Sequence, residues 1–356
     1  MKRPVALPLP MHRPPAEPPP LSRDLGWCLE VLFLVYAGFL LVMGTTPAWK
    51  SLVDNIAINF LAILLEALPF MLLGALAGGL IEVFVPLALV ERFFGRHPLR
   101  AVFISGAMGL VIPVCECAIV PVVRRLLGKG VPFGAAIAFL LGGPIVNSIV
   151  ALSTAVAYAW DWRVVLVRLG SGYLIAVTIG LLFGRFISLR QGVRQDLPGG
   201  NTSSCGCLPG ETGHEGKFGR LRHALEHACD DFFAVGKYLV IGAFIAALLR
   251  SMVAMETFLG LQSSPWLAIL IMMAMAVALN LCSEADAFIA ASFRGLLPGS
   301  AQMAFMVLGP MLDLKLLLMY LSLFRKRVIV ALAVSVPLAV LLLCLGLEYL
   351  LPGLLG

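Results

Sequence analysis

Charge is what this chain of 356 residues has least of: Asp, Glu, Lys and Arg make up 13% of it, against about 25% in soluble domains. Apolar residues make up 60%, against about 45–50% in such domains, and the mean hydropathy is +0.97. Those proportions describe a polytopic membrane protein. No GxxxxGK[ST] loop is present to cradle nucleotide phosphates, which argues against ATP-driven pumping by this chain. The eight cysteines, at 28, 115, 117, 205, 207, 229, 282 and 344, lack the dense regular spacing of a secreted disulfide scaffold, so thiol or metal chemistry fits them better than stapling. A net charge of +6 does not point to nucleic acid, because the basic residues fall in short loops between apolar runs and act there as topology signals.

What is present is a duplicated stretch. Val111 to Asn147 has a counterpart in Leu279 to Asp313, and setting Gly143-Pro144 on Gly309-Pro310 fixes the offset at 309 − 143 = 166. The same offset pairs Pro132 with Pro298, Glu116 with Cys282, and Asn147 with Asp313. Each copy is an apolar run broken by a cluster of cysteine and acid, followed by a polar turn. A second apolar run comes next, broken at Gly-Pro, with a short polar side chain three residues on. Interrupted hydrophobic segments at matching places in two halves point to a transporter's binding site. Unwound backbone at membrane depth is tolerated only where protein buries it or it lines a cavity. Pro113, Gly143, Pro144, Gly309 and Pro310 are therefore expected hinges.

Taken in order, residues 1–26 read as a proline-rich disordered tail and 27–46 as an extra N-terminal transmembrane helix, retained because no cleavage signature precedes Pro47. A first transmembrane repeat is expected over 52–189, a cytoplasmic loop over 190–222 and a second repeat over 223–352. Glu66 lies inside the run from Ile56 to Val85, and an ionisable group there is by default a functional hypothesis. Basic residues flank both ends of the stretch around Cys115-Glu116-Cys117, which fits a re-entrant hairpin with that cluster at its tip. Cys282 to Asp286 forms the matching tip. One span, one hairpin and two spans per unit give an odd number of crossings, so the second copy is inverted, with the amino terminus cytoplasmic and the carboxyl terminus external. If each hairpin is instead a broken spanning helix, the repeats are parallel. The expected fold is an all-α polytopic membrane protein of two inverted repeats, each with a re-entrant or broken-helix hairpin.

Cys115 and Cys117, with Cys282 from the opposite hairpin, can bring three sulfurs together near the midplane, and thiolates select soft ions and thiophilic centres. Glu116, Glu284 and Asp286 are candidates both for binding and for carrying protons, while Asn147 and Asp313 sit where polar ligands are expected after each break. Lys315 is placed to neutralise Asp313. In the loop, Cys205, Cys207, His223 and His227 form a candidate metal-handling cluster, the two histidines being one helical turn apart, with a solvated linker as the alternative.

Pro113-Val114-Cys115-Glu116-Cys117 with Pro121, Arg124 and Arg125, then Cys282-Ser283-Glu284-Ala285-Asp286-Ala287-Phe288 and Leu308-Gly309-Pro310-Met311-Leu312-Asp313, resemble the predicted-permease family that includes the organoarsenical efflux permeases. The resemblance covers roughly residues 50 to 350 and implies export of a trivalent organoarsenical or soft metal species through membrane cysteines. In arsenical members the residue between the paired cysteines is usually small and polar. Here it is Glu116, which leans towards a cationic or proton-coupled substrate. The expected function is secondary-active efflux of a thiophilic small solute across a bacterial-type inner membrane, without a cofactor and without nucleic acid. Its partners are then a small-molecule or ion substrate and the lipid bilayer, and a homo-oligomer is compatible with the sequence. A membrane thiol oxidoreductase using Cys115 and Cys117, or a passive channel, is the competing reading.

Overall fold

The structure, a computed structural model, describes residues 47–84, 98–187, 192–193, 217–252 and 264–350. The expected tail, the extra helix over 27–46, Cys205, Cys207 and the His223 side chain lie outside the described residues. The chain divides into two units, residues 1–55 and 56–356. The described part of the first is the opening turns of one helix, and the second holds the rest of the fold.

The regular structure is helical. The elements are α1 (Pro47–Phe84), α2 (Pro98–Ala107) with a 3-10 turn (Met108–Leu110), α3 (Glu116–Gly128), α4 (Phe133–Gly142), α5 (Ser148–Ala157) and α6 (Trp162–Phe186). Then come α7 (Lys217–Met252), α8 (Pro265–Leu279), α9 (Ala285–Ser292), α10 (Gly299–Met311), α11 (Leu314–Tyr320) and α12 (Lys326–Leu350). Adding 166 carries each of the first six onto the corresponding member of the second six to within a few residues. Among the described residues five helices are long and apolar enough to cross a membrane, which makes this a multi-pass membrane protein. On α12 the residues Val330, Val334, Leu338 and Leu342 are exposed while Leu332, Val336, Val340 and Cys344 are buried. Both stripes are apolar, as a helix between protein and lipid requires.

The local causes of the breaks are readable. Pro132 and Pro298 immediately precede α4 and α10, whose first N–H groups need no intrahelical partner. Asn147 and Asp313 restart the helix after each interruption: their side chains accept from Ile149 N at 2.9 Å and Leu316 N at 2.5 Å, satisfying orphan donors of α5 and α11. One boundary differs from expectation. The first span ends at Gly142, but α10 runs through Gly309-Pro310 to Met311 and breaks at Leu312. Proline deletes a single i to i−4 bond, and a helix buried on every side from Ser300 to Met311 keeps its geometry across that loss.

α2 and α3 are the arms of the first hairpin; at 10 and 13 residues they reach roughly 15–20 Å, too short for a core of about 30 Å. Gly109 lets this hairpin approach the first broken span, since a Cβ there would lie 2.5 Å from Gly143 O and 2.6 Å from Val146 O. Inside each half the central helix packs against the same neighbours, α4 on α2 and α6, and α10 on α8 and α12. Between halves the contacts cross over: α11 packs on α3, and α5 on α9.

Two sets of contacts give the direction of the broken spans. At one end Phe133, opening α4, meets Phe324 beyond α11 edge to face with centroids 6.0 Å apart, and Arg325 Nε donates to Val193 O at 3.2 Å. At the other end Tyr158, closing α5, donates its hydroxyl to Gln302 Oε1 at the start of α10 at 2.8 Å. Each broken span therefore begins beside the end of the other. The spans 133–157 and 299–320 run antiparallel.

Candidate functional site

The crossed contacts bring the two hairpin tips together in the middle of the helical bundle. Ser283 Oγ, on the second tip, donates to Glu116 Oε2 on the first at 3.4 Å and lies 3.3 Å from Glu284 Oε2. Lys315, in the first turn of α11, sets its Nζ 3.5 Å from Glu116 Oε1 and 3.7 Å from Asp313 Oδ2. All three of these charged groups are buried. Asn280 turns the chain out of α8 with φ 51°, a left-handed conformation that asparagine tolerates. With its amide nitrogen facing Asp313, Asn280 donates to that carboxylate. Two carboxylates thus share one lysine, and an amide and a hydroxyl supply the remaining hydrogen bonds. Burial of such a set is tolerable only when the charges are paired in this way.

Around this cluster lies a small cavity lined by Cys115, Glu116 and Cys117 from the first tip and by Asn280, Cys282, Glu284 and Lys315 from the second half, with Glu66 on α1. Its volume of about 20 Å³ accommodates about one water molecule. Cys117 is buried, Cys115 and Cys282 are half-buried, and all three are free thiols. Among the described residues no three Cys, His, Asp or Glu side chains are arranged to hold a metal ion. The sulfurs share a cavity without converging as ligands.

The remaining expected residues are elsewhere. Asn147 is a helix cap whose carbonyl oxygen is occupied by Ile149 N. Asp286 is fully buried behind the tip, where a Cβ on Gly309 would stand 2.6 Å from its Oδ2; among the described residues that oxygen has no hydrogen-bond partner. His227 lies beside Arg125, which donates to its carbonyl at 3.0 Å while Arg125 Nε pairs with Asp231 Oδ2 at 2.5 Å. That contact ties α3 to α7.

Arg168 is a functional candidate absent from the residues expected from sequence. It is fully buried in α6 and donates from Nη2 to Ser283 O at 2.7 Å and from Nη1 to Thr154 Oγ1 at 2.6 Å. One guanidinium thus satisfies an unwound carbonyl of the second tip from a continuous helix of the first half. A signal for it exists in the chain: an arginine inside an otherwise apolar span needs a partner at membrane depth.

The sequence profile of the family described as "Predicted permease" matches residues 53–349. Over 268 residues the chain is 41% identical to the UPF0718 protein YcgR of Bacillus subtilis, covering 75% of this chain and 88% of the relative. It is 36% identical over 296 residues to the "Putative two-component membrane permease complex subunit" of Streptococcus mutans, covering 83% and 95%. The UPF0718 protein YraQ of Escherichia coli is 26% identical over 148 residues, covering 42% and 41%. No solved structure matches the chain.

Proposed function

We propose, from the premise that the chain belongs to the predicted-permease family, that this membrane transporter is a secondary-active exporter of a small thiophilic solute. The observation that carries the reading is the shared cavity in which Cys115 and Cys117 of one half face Cys282 of the other beside Glu116, Glu284 and Lys315. Soft ligands bind a soft solute, and an incomplete, unconverged set releases it again, which a permanent four-ligand site does not. The antiparallel broken spans support an inverted repeat, and they supply the two-state element that alternating access needs. In this reading Glu116 exchanges its proton as the cargo perturbs its pairing with Lys315, while Asp313 and Asn280 hold the lysine. Asn147 and Asp313, the caps after each break, keep the half-helices in register as the hinges move.

The test is accumulation of trivalent organoarsenicals, soft metal ions and reduced sulfur species in cells with and without the protein, at two external pH values. Expression should lower accumulation of at least one thiophilic solute, and Glu116→Gln should keep binding while removing the pH dependence. Equal accumulation of every solute with and without the protein overturns the reading.

A further inference from the structure

A second and larger cavity, of about 250 Å³, opens at the Tyr158 end of the broken spans. Val164, Met303 and Met306 form its apolar wall, and Tyr158 and Gln302 form its polar one. Tyr158 donates to Gln302 Oε1 at 2.8 Å and Gln302 Nε2 donates to Leu297 O at 3.0 Å, which holds both groups in place and leaves acceptor lone pairs and one amide hydrogen uncommitted. Arg294 stands at the mouth, its guanidinium 5.8 Å from the Tyr158 ring centroid and 3.8 Å from Asp161 Oδ2. Among the described residues, those lining the cavity include no carboxylate.

The offset of 166 shows what occupies the equivalent place at the other end. Tyr158 maps onto Phe324 (158 + 166), Met303 onto Ile137 (303 − 166) and Met306 onto Leu140 (306 − 166). Phe324 is wedged between Phe133 and Tyr320 with ring centroids 6.0 Å from each, whereas Tyr158 borders the cavity. The deeper positions are buried in both halves, Met303 and Met306 as fully as Ile137 and Leu140, and the difference lies in what the aromatic residue at each end packs against. Met306 lies seven residues before Asp313 on the same broken span, about 10 Å of helix from the central cluster.

We propose that this cavity is the vestibule through which cargo leaves or reaches the thiol site, and that it binds a small solute with no net positive charge, an apolar body and one or two hydroxyl or oxo groups. The apolar wall takes the body, Tyr158 and Gln302 take the hydroxyls, and Arg294 turns away cations. The two thioethers add a polarisable surface suited to a soft centre. The inference rests on the permease reading of the central site, and its test needs no transport.

The test uses full-length protein in lipid nanodiscs carrying Leu297→Cys, half-buried on the cavity wall, or, at the matching position (297 − 166), Val131→Cys, which is buried, with modification read at that residue by peptide mass spectrometry. The reagents are neutral, anionic and cationic methanethiosulfonates, and the site probe is phenylboronic acid, a neutral two-hydroxyl solute that does not react with thiols. Leu297→Cys should react, with the anionic reagent faster than the cationic one by about tenfold, as expected of a cleft carrying one sign of charge. Phenylboronic acid should slow that reaction, and Val131→Cys should stay unmodified. Gly299→Cys, also half-buried on the cavity wall, serves if Leu297→Cys does not fold. An unreactive vestibule position, a faster cationic reagent, equal reaction at 131, or no protection by phenylboronic acid overturns the proposal. Loss of thiophilic transport with labelling and protection intact sinks the central-site reading instead and leaves the vestibule standing.

Discussion

Lys315 and Glu116 belong to different halves of the chain, yet their charged atoms lie 3.5 Å apart in the buried centre. Removing one partner of a buried pair strands the other, at a cost of about 3–5 kcal/mol. Lys315→Met should therefore destabilise the protein by about that much, because it leaves Glu116 and Asp313 facing each other without a cation. Glu116→Gln should cost less, since Asp313 still holds the lysine, and the double substitution should recover part of the loss. Thermal melting of the purified variants in a double-mutant cycle checks this, and additive losses would deny the coupling.

Arg168 should resist even its conservative replacement. Arg168→Lys keeps the charge but cannot bond Ser283 O and Thr154 Oγ1 from two fixed nitrogens, so one buried partner goes unsatisfied at about 1–3 kcal/mol. Arg168→Ala should be worse. The expected readout is a lower melting temperature together with faster proteolysis near residue 283. Unchanged protection of that tip would remove Arg168 from its supporting role.

Three glycines should separate packing from mechanism. Gly109→Ala drives a Cβ into backbone oxygens of the first broken span and should destabilise by about 1–3 kcal/mol. Gly309→Ala brings its Cβ first against the Asp286 carboxylate, a side chain rather than backbone, and should fold while losing transport. Gly170 has nothing within 4 Å of its would-be Cβ, and Gly170→Ala should be neutral or stabilising by roughly 0.5–1 kcal/mol through helix propensity. Expression, melting temperature and uptake measured side by side distinguish the three. Equal loss of fold and transport at Gly309 would make its approach to Asp286 a matter of packing alone.

The cysteines divide in the same manner. Cys115→Ser, Cys117→Ser and Cys282→Ser should each abolish transport of the thiophilic cargo. Cys344→Ala, buried in α12 and outside the site's cavity, should retain it. Activity retained in all three serine variants would reduce the sulfurs to filling residues.

Topology is open to direct labelling. Single cysteines at Gly130 and Ser322 should be modified from one side of the membrane, and those at Trp160 and Gly295 from the other, because the broken spans run antiparallel. All four reacting from one side would be incompatible with that geometry.

Much of this architecture is legible in the amino acids, and the reason is periodic. The 166-residue offset marks matching breaks because Pro132 and Pro298 start helices and Asn147 and Asp313 restart them through local hydrogen bonds, which depend on neighbours in sequence. The meeting of the two tips follows from the same offset once the halves pack together. Three things were not legible. The continuation of α10 past Gly309-Pro310 depends on burial from every side, which a single strand of sequence does not reveal. Arg168 announces itself as a charge inside an apolar span, but its role is not readable until its partners, 14 and 115 residues away, are known. The opening at Tyr158 and the aromatic plug at Phe324 are a difference between two packings of equivalent positions, and no local pattern encodes it.

The halves share a scaffold but not its chemistry: Glu116 corresponds to Cys282, Lys315 to Ile149 (315 − 166) and Arg168 to Val334 (168 + 166). Consider an ancestor of half this length, assembling as a twofold pair. Two copies of the first half would bring Glu116 to the centre with no lysine to meet it, and two copies of the second would bring Lys315 with no Glu116. Only the joined, diverged chain places one of each at the crossing point. The joined chain thus holds a charge-paired centre that no symmetric dimer of either half can build, and with it a permanent difference between its two halves.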